Sequence, residues 1–295
     1  MNEKKIMIFG AGQAGLMAAK WIPAGGKLAA FIDNDVKKQG HYICDVPVIS
    51  YKEAMEKDGC GPDEIILAVI NKEAAAGIKE MIKDSAFAGR VVDINELRSA
   101  MDIRFAAMRL CASEIKERGI AGDIAELGVY RGEFAARISA EFPERDLFLF
   151  DPFEGFSESD LVIENEKAGD GNNAKANAGD FGDTSVEAVK SVLPYPERAV
   201  FCAGRFPESM EKYPELDLGE RSFAFVSLDT DLYEPTLEGL RFFYPRLSEG
   251  GYIFIHDYNS MQYPGVKRGV DEFRKEVDIK LMPLPDLHGT GIVMK

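Results

Sequence analysis

Asp123-Ile124-Ala125-Glu126-Leu127-Gly128-Val129-Tyr130-Arg131-Gly132 decides how this chain folds. A short apolar run ends in an acid, and Gly-x-x-x-Gly then turns into an amphipathic segment. That is the strand–turn–helix start of a Rossmann-type unit. Downstream, apolar runs at 147–150, 199–202, 223–228 and 252–255 read as further strands, with closing strands at 279–282 and 291–294. Helical periodicity falls at 132–141, 185–193, 235–247 and 266–277. Strands alternating with helices make a parallel sheet covered on both faces. The segment 157–183 is polar and rich in Gly and Asn, so it reads as a loop or lid rather than a buried element.

A second glycine loop lies upstream. Gly10-Ala11-Gly12-Gln13-Ala14-Gly15 follows a strand at 6–9 and opens a helix at 14–21. Strands at 28–32, 64–69 and 90–92 and a helix at 72–83 complete that pattern. A helix over 99–118, with Met101, Phe105, Met108, Ala112 and Ile115 on one face, links the halves. The expected organisation is a small nucleotide-fold domain at 1–97 and a larger domain at 98–295. The fold class is α/β, with two Rossmann-like doubly wound domains.

The net charge of -15 argues against a nucleic-acid surface, which needs clustered positive charge. No apolar run is long enough to insert in a membrane. The first apolar run is interrupted at once by Gly10, so no secretory signal is read and the expected location is cytoplasmic. Cys44, Cys60, Cys111 and Cys202 are scattered without a C-x-x-C pair, which suits reduced thiols and not a zinc site. Partners are expected to be small molecules, and a homo-oligomer is left open.

In the upstream loop, Gly10, Gly12 and Gly15 permit close approach of a phosphate, and Asp33 ends the next strand where a ribose-binding carboxylate belongs. An inherited fold without a ligand fits the same residues. Phe31-Ile32-Asp33-Asn34-Asp35, Gly40 and Val46-Pro47-Val48-Ile49 resemble the N-terminal domain of sugar O-acyltransferases and related polysaccharide-biosynthesis proteins. That resemblance implies a nucleotide or nucleotide-sugar ligand.

The downstream loop suits a different ligand. An acid at the strand end matches a cationic amino-acid head, and glycines admit its backbone, as S-adenosylmethionine would need. Asp151, ending the next strand, is placed for ribose hydroxyls. Ser227-Leu228-Asp229-Thr230-Asp231 and Ile255-His256-Asp257-Tyr258 end two more strands at the same sheet edge. Three carboxylates and an imidazole would then surround one crevice. A divalent cation there lowers a hydroxyl's pKa while a carboxylate takes its proton. Strand-end turn residues are the plainer reading of Asp229 and Asp257.

The ordered blocks Glu126 to Gly132, Asp151-Pro152-Phe153-Glu154-Gly155-Phe156, Gly204-Arg205-Phe206-Pro207-Glu208-Ser209, Asp229-Thr230-Asp231-Leu232-Tyr233-Glu234, His256-Asp257-Tyr258-Asn259 and Gly265-Val266-Lys267-Arg268 resemble the macrocin O-methyltransferase (TylF/MycF) family across 98–295. The resemblance implies a seven-stranded class I methyltransferase fold and methyl transfer from S-adenosylmethionine to a sugar-type hydroxyl. It further implies Asp229 and Asp257 as metal ligands and Asp231 as general base. Glu126, Gly128, Tyr130, Gly132, Asp151, Ser185, Gly204 and Arg205 match the cofactor segments. His256 stands where the family's antibiotic enzymes carry a second acid, so magnesium and manganese both stay open, and His256 is either a ligand or a hydrogen-bonding neighbour. Two other readings compete. One is an NAD(P)-dependent oxidoreductase using Gly10 to Gly15, for which no substrate domain suited to hydride chemistry is read. The other is a non-catalytic nucleotide-sugar sensor, against which the Asp229, Asp231, Asp257 set counts.

Overall fold

A computed structural model describes residues 3–56, 61–168 and 176–295. Two compact units emerge: Met1–Asp102 with Pro285–His288, and Ile103–Leu284 with Gly289–Lys295.

The first unit contains β1 (Lys4–Phe9), α1 (Gln13–Ala19), β2 (Gly26–Ile32), β3 (Tyr42–Ile43), β4 (Val46–Ile49), α2 (Tyr51–Glu56), β5 (Glu64–Leu67), α3 (Lys72–Lys83), β6 (Arg90–Asp93) and α4 (Ile94–Ala100). Its sheet runs β3-β4-β2-β1-β5-β6. Alternation along β1 divides the core, with Ile6 and Ile8 packing on one face and Met7 and Phe9 on the other. Leu287 joins the first of these faces, and Trp21 Nε1 donates to the Pro285 carbonyl at 3.0 Å. The short β3–β4 hairpin is an addition to the strands read from sequence.

The second unit contains α5 (Ile103–Glu117), β7 (Asp123–Leu127), α6 (Glu133–Glu141), β8 (Leu147–Asp151), α7 (Glu158–Ala168), α8 (Val186–Val192), β9 (Ala199–Ala203), β10 (Phe223–Leu228), α9 (Tyr233–Arg246), β11 (Leu247–Ile255), α10 (Pro264–Glu276), β12 (Leu281–Pro283) and β13 (Gly291–Met294). The seven-stranded sheet runs β12-β13-β11-β10-β7-β8-β9, with β13 antiparallel to β11 and to β12. All six residues of β10 are buried, as expected of a parallel strand covered on both faces. Phe148 and Phe150 pack on one face of the sheet, Leu147 and Leu149 on the other. The chain starts at β7, builds outward to β9 and resumes on the other side with β10. Ligands bind at such a reversal, beyond the carboxyl ends of the strands. The stretch read as one helix over 99–118 is broken: α5 starts at Ile103, leaving Met101 exposed, while Met108, Ala112 and Ile115 are buried as read.

The segment 157–183 differs from its reading as a loop. Its first part forms α7, and residues 169–175 of the expected lid lie outside the described residues. Apolar residues are scarce in α7 because polar contacts hold it. Ser157 and Asp160 cap its start reciprocally, with Ser157 N–H on Asp160 Oδ2 at 2.8 Å and Asp160 N–H on Ser157 Oγ at 3.2 Å. Glu164 is 1% exposed and accepts the backbone N–H of Tyr233 at 2.6 Å. That carboxylate thus serves the first turn of α9 and lies against the start of α10. Gly265 leaves room for it, since a Cβ there would lie 2.1 Å from Glu164 Oε1. Glu164→Ala orphans the Tyr233 N–H group and is expected to cost about 1–3 kcal/mol. Denaturant unfolding measures that cost, and hydrogen exchange should show faster opening of 158–168. Exchange as slow as in the unaltered protein would remove Glu164 as the anchor.

Candidate active site

Main-chain bonds extend each ladder one residue past its strand. Gly128 N–H donates to Phe150 O at 2.9 Å, Asp229 N–H to Leu127 O at 2.8 Å, His256 N–H to Leu228 O at 2.8 Å and Gly204 N–H to Asp151 O at 3.0 Å. In-register pairing of Leu127 with Leu228, and of Leu228 with Ile255, keeps those ends level. Gly128, Asp151, Gly204, Asp229 and His256 therefore leave the sheet along one edge.

The loop after β7 is cofactor-sized in its chemistry. Gly128 has φ +86°, and a Cβ there would meet the Asp229 carbonyl oxygen at 2.0 Å, so only glycine fits. Gly132 has φ +76° and passes the Val189 side chain of α8. Asp151 Oδ2 accepts the N–H groups of Val129 at 2.7 Å and Tyr130 at 3.0 Å, and Oδ1 accepts Phe153 N–H at 2.6 Å. Asp151 thus shapes the glycine loop, and its remaining lone pairs stay available for hydroxyls. Tyr130 donates to Asp183 at 2.7 Å. Ser185 caps α8 by accepting Ala188 N–H at 3.1 Å. Arg205 reaches the start of α7, donating to Ser157 Oγ at 2.8 Å and pairing with Asp160. Glu126 is 1% exposed, and both of its carboxylate oxygens are buried without a hydrogen-bond partner. Burial pushes its pKa up to about 8, with Arg104 opposing and Asp229 adding to the rise.

Beside this loop, donor atoms of Asp229, Asp231, His256 and Asp257 lie within 4.8 Å of one another. His256 Nδ1 is 2.7 Å from Asp229 Oδ1 and 2.6 Å from Asp257 Oδ2. Asp231 does not arrive by an extended backbone, as strand-like spacing suggests. Its φ is +59°, and Asp257 likewise has φ +54°, both left-handed turns. Non-glycine residues in that region carry strain, which concentrates at functional sites. Burial, then repulsion from Asp257 and Asp229, holds the Asp231 carboxyl well above the usual carboxylate range. Asp229 behaves oppositely: burial works against ionisation, but the neighbouring His256 and Arg104 overcome it and lower its pKa. For His256 burial disfavours the charge, yet Asp229 and Asp257 carry its pKa up to about 10.

This last shift has a pH signature. A histidine at 6.5 when unfolded and about 10 when folded stabilises the fold fully below pH 6.5, and that contribution disappears as pH rises through 10. Metal-free protein should therefore lose stability across that window. His256→Gln should flatten the loss, as read from urea midpoints against pH. Parallel profiles for the two proteins would show that His256 carries no such charge.

Arg104 is the site residue that sequence reading missed. Its Nη1 donates to Asp229 Oδ2 at 2.9 Å and its Nη2 to Ser227 Oγ at 3.0 Å, and its guanidinium lies 3.8 Å above the Phe134 ring. The available signal was a cation in the first turn of a helix, where the dipole disfavours it.

In the first unit, a Cβ on Gly10 would meet Ala68 O at 2.5 Å and one on Gly15 would meet Gly10 O at 1.9 Å, so both glycines serve packing. Of the loop's three glycines, Gly12 alone faces open space. Asp33 accepts Ala11 N–H at 2.9 Å and pairs with Lys38 at 2.9 Å.

Among the described residues, no helix is long and apolar enough to cross a membrane. The family model described as Macrocin-O-methyltransferase (TylF) matches residues 41–295, beginning inside the first unit and not at 98. Demethyldecarbamoylnovobiocin O-methyltransferase of Streptomyces niveus is 29% identical over 185 residues, 60% of this chain and 67% of that protein. The 8-demethyl-8-(2,3-dimethoxy-alpha-L-rhamnosyl)-tetracenomycin-C 4'-O-methyltransferase of Streptomyces olivaceus is 26% identical, covering 64% of this chain and 71% of its own. A solved structure of the O-methyltransferase NovP aligns with a TM-score of 0.51 and 25% identity, covering 65% of this chain and 79% of that one.

Proposed function

Because this chain belongs to the macrocin O-methyltransferase (TylF) family and is an S-adenosylmethionine-dependent O-methyltransferase, we propose that it methylates a hydroxyl of a sugar or sugar-bearing small molecule, using Asp231 as general base beside a divalent cation. The observation that carries this reading is the meeting, at one sheet edge, of the Gly128 loop with the Asp229, Asp231, His256, Asp257 cluster. A relative named for a rhamnosyl compound supports the acceptor class.

S-adenosylmethionine, when bound, supplies a sulfonium methyl whose C–S bond breaks as the acceptor oxygen forms the new C–O bond. Glu126 suits its ammonium: both carboxylate oxygens lack partners, and burial makes an unpaired charge there costly. Asp151 offers its free lone pairs to the ribose. The cluster also fits a divalent cation. Three carboxylates converge, and burial together with their mutual repulsion holds the Asp231 pKa up until positive charge enters. Asp229 and Asp257 would hold that ion, which would acidify an adjacent hydroxyl. His256 adds a nitrogen donor, better suited to manganese than to magnesium. Asp231, once ionised, takes the hydroxyl proton, and its left-handed backbone holds it at the cluster's edge.

The test is transfer of label from methyl-labelled S-adenosylmethionine to a panel of glycosides and nucleotide-sugars, with manganese or magnesium and with chelator. Labelled sugar product that disappears on chelation is expected. Label passing only to acceptors without sugars would contradict the substrate class. Undiminished transfer in verified metal-free protein would contradict the cation.

A further inference from the structure

At the edge of the second sheet Arg104 Nε and both carboxyl oxygens of Glu126 are buried without a hydrogen-bond partner. They are neighbours through Ser227, which pairs in register with Glu126 and accepts Arg104 Nη2 at 3.0 Å. A guanidinium with one spare N–H beside a buried carboxyl without a partner matches the carboxylate and the ammonium of a zwitterion. Resting on the reading that S-adenosylmethionine binds at this edge with its ammonium at Glu126, we propose that Arg104 is the receptor for the cofactor's α-carboxylate.

The guanidinium has other partners as well. It donates to Asp229 Oδ2 at 2.9 Å, a carboxylate of the candidate cation site. A cation there repels a second cation approaching the same carboxylate. A cofactor carboxylate draws charge from Arg104 and weakens its hold on Asp229, so cofactor binding favours cation binding. Thermodynamic reciprocity requires that the cation favour the cofactor by the same factor. Phe134, stacked 3.8 Å under the guanidinium, gives the side chain a platform that does not depend on Asp229.

The experiment uses the full chain and two probes, S-adenosylhomocysteine and its decarboxylated form, which keeps the amine. Calorimetry on the unaltered protein should show about 10- to 100-fold weaker binding of the decarboxylated probe, the loss expected for a charge-assisted bond. Arg104→Gln should bind both probes alike, and Arg104→Lys should restore part of the preference. Manganese titration followed by electron paramagnetic resonance gives a second reading. S-adenosylhomocysteine should tighten manganese binding in the unaltered protein, and Arg104→Gln should abolish that coupling. A merely structural arginine would weaken both probes equally and leave their ratio unchanged, which overturns the assignment. Absence of S-adenosylhomocysteine binding to the unaltered protein would instead overturn the cofactor reading on which it rests.

Discussion

Asp231→Asn is expected to lower kcat by about 10²–10⁴-fold, the usual cost of removing a general base, while S-adenosylhomocysteine binds as before. The substitution keeps the shape of a residue already held in a left-handed turn. Asparagine tolerates that conformation better than most residues, so the fold should survive. An amide accepts no proton at neutral pH, so the acceptor hydroxyl keeps its own. The measurement is kcat and KM with the best acceptor from the screen, alongside calorimetry with S-adenosylhomocysteine. Turnover within a few-fold of normal would remove Asp231 as base.

Gly128→Ala should have an effect of similar size on a different quantity. The new Cβ would sit 2.0 Å from a main-chain oxygen of Asp229, and φ +86° is strained for alanine. Neither obstacle is a flexible side-chain end, so the strand-end loops must separate. A displacement near 1 Å typically costs about 10²-fold in catalysis. Both the cofactor loop and Asp229 move, so S-adenosylhomocysteine affinity and manganese affinity should fall together. Normal affinity for both in the folded variant would show that the close approach has no bearing on the site.

The order of the second sheet was legible because buried parallel strands read as continuous apolar runs. Phe223–Leu228 and Leu147–Asp151 are buried throughout, and the acids that end them stood out against that background. Helix α7 was not legible from hydrophobicity because Glu164, Arg205 and Ser157 hold it through polar contacts. Ser157-x-x-Asp160 was its one local signal. The β3–β4 hairpin escaped for a related reason: Cys44 and Asp45 take its two left-handed positions, where Asn-Gly would have announced the turn. Arg104 lies far in sequence from Asp229, and no local pattern links a residue at a helix start to a strand end that the fold alone brings near. Asp231 reaches the cluster through a left-handed turn at the strand end, which the spacing Asp229-Thr230-Asp231 does not announce. Of the two glycine loops, sequence made the first the stronger motif. In the structure, two of its three glycines answer to packing.

The most direct measurement is a crystal structure with S-adenosylhomocysteine and manganese, using anomalous scattering to locate the ion. The account predicts S-adenosylhomocysteine along the edge formed by Gly128 and Asp151, with the manganese peak bounded by Asp229 and Asp257. Occupancy of the Gly10 to Gly15 loop by S-adenosylhomocysteine, or a manganese peak away from that acid cluster, would contradict it.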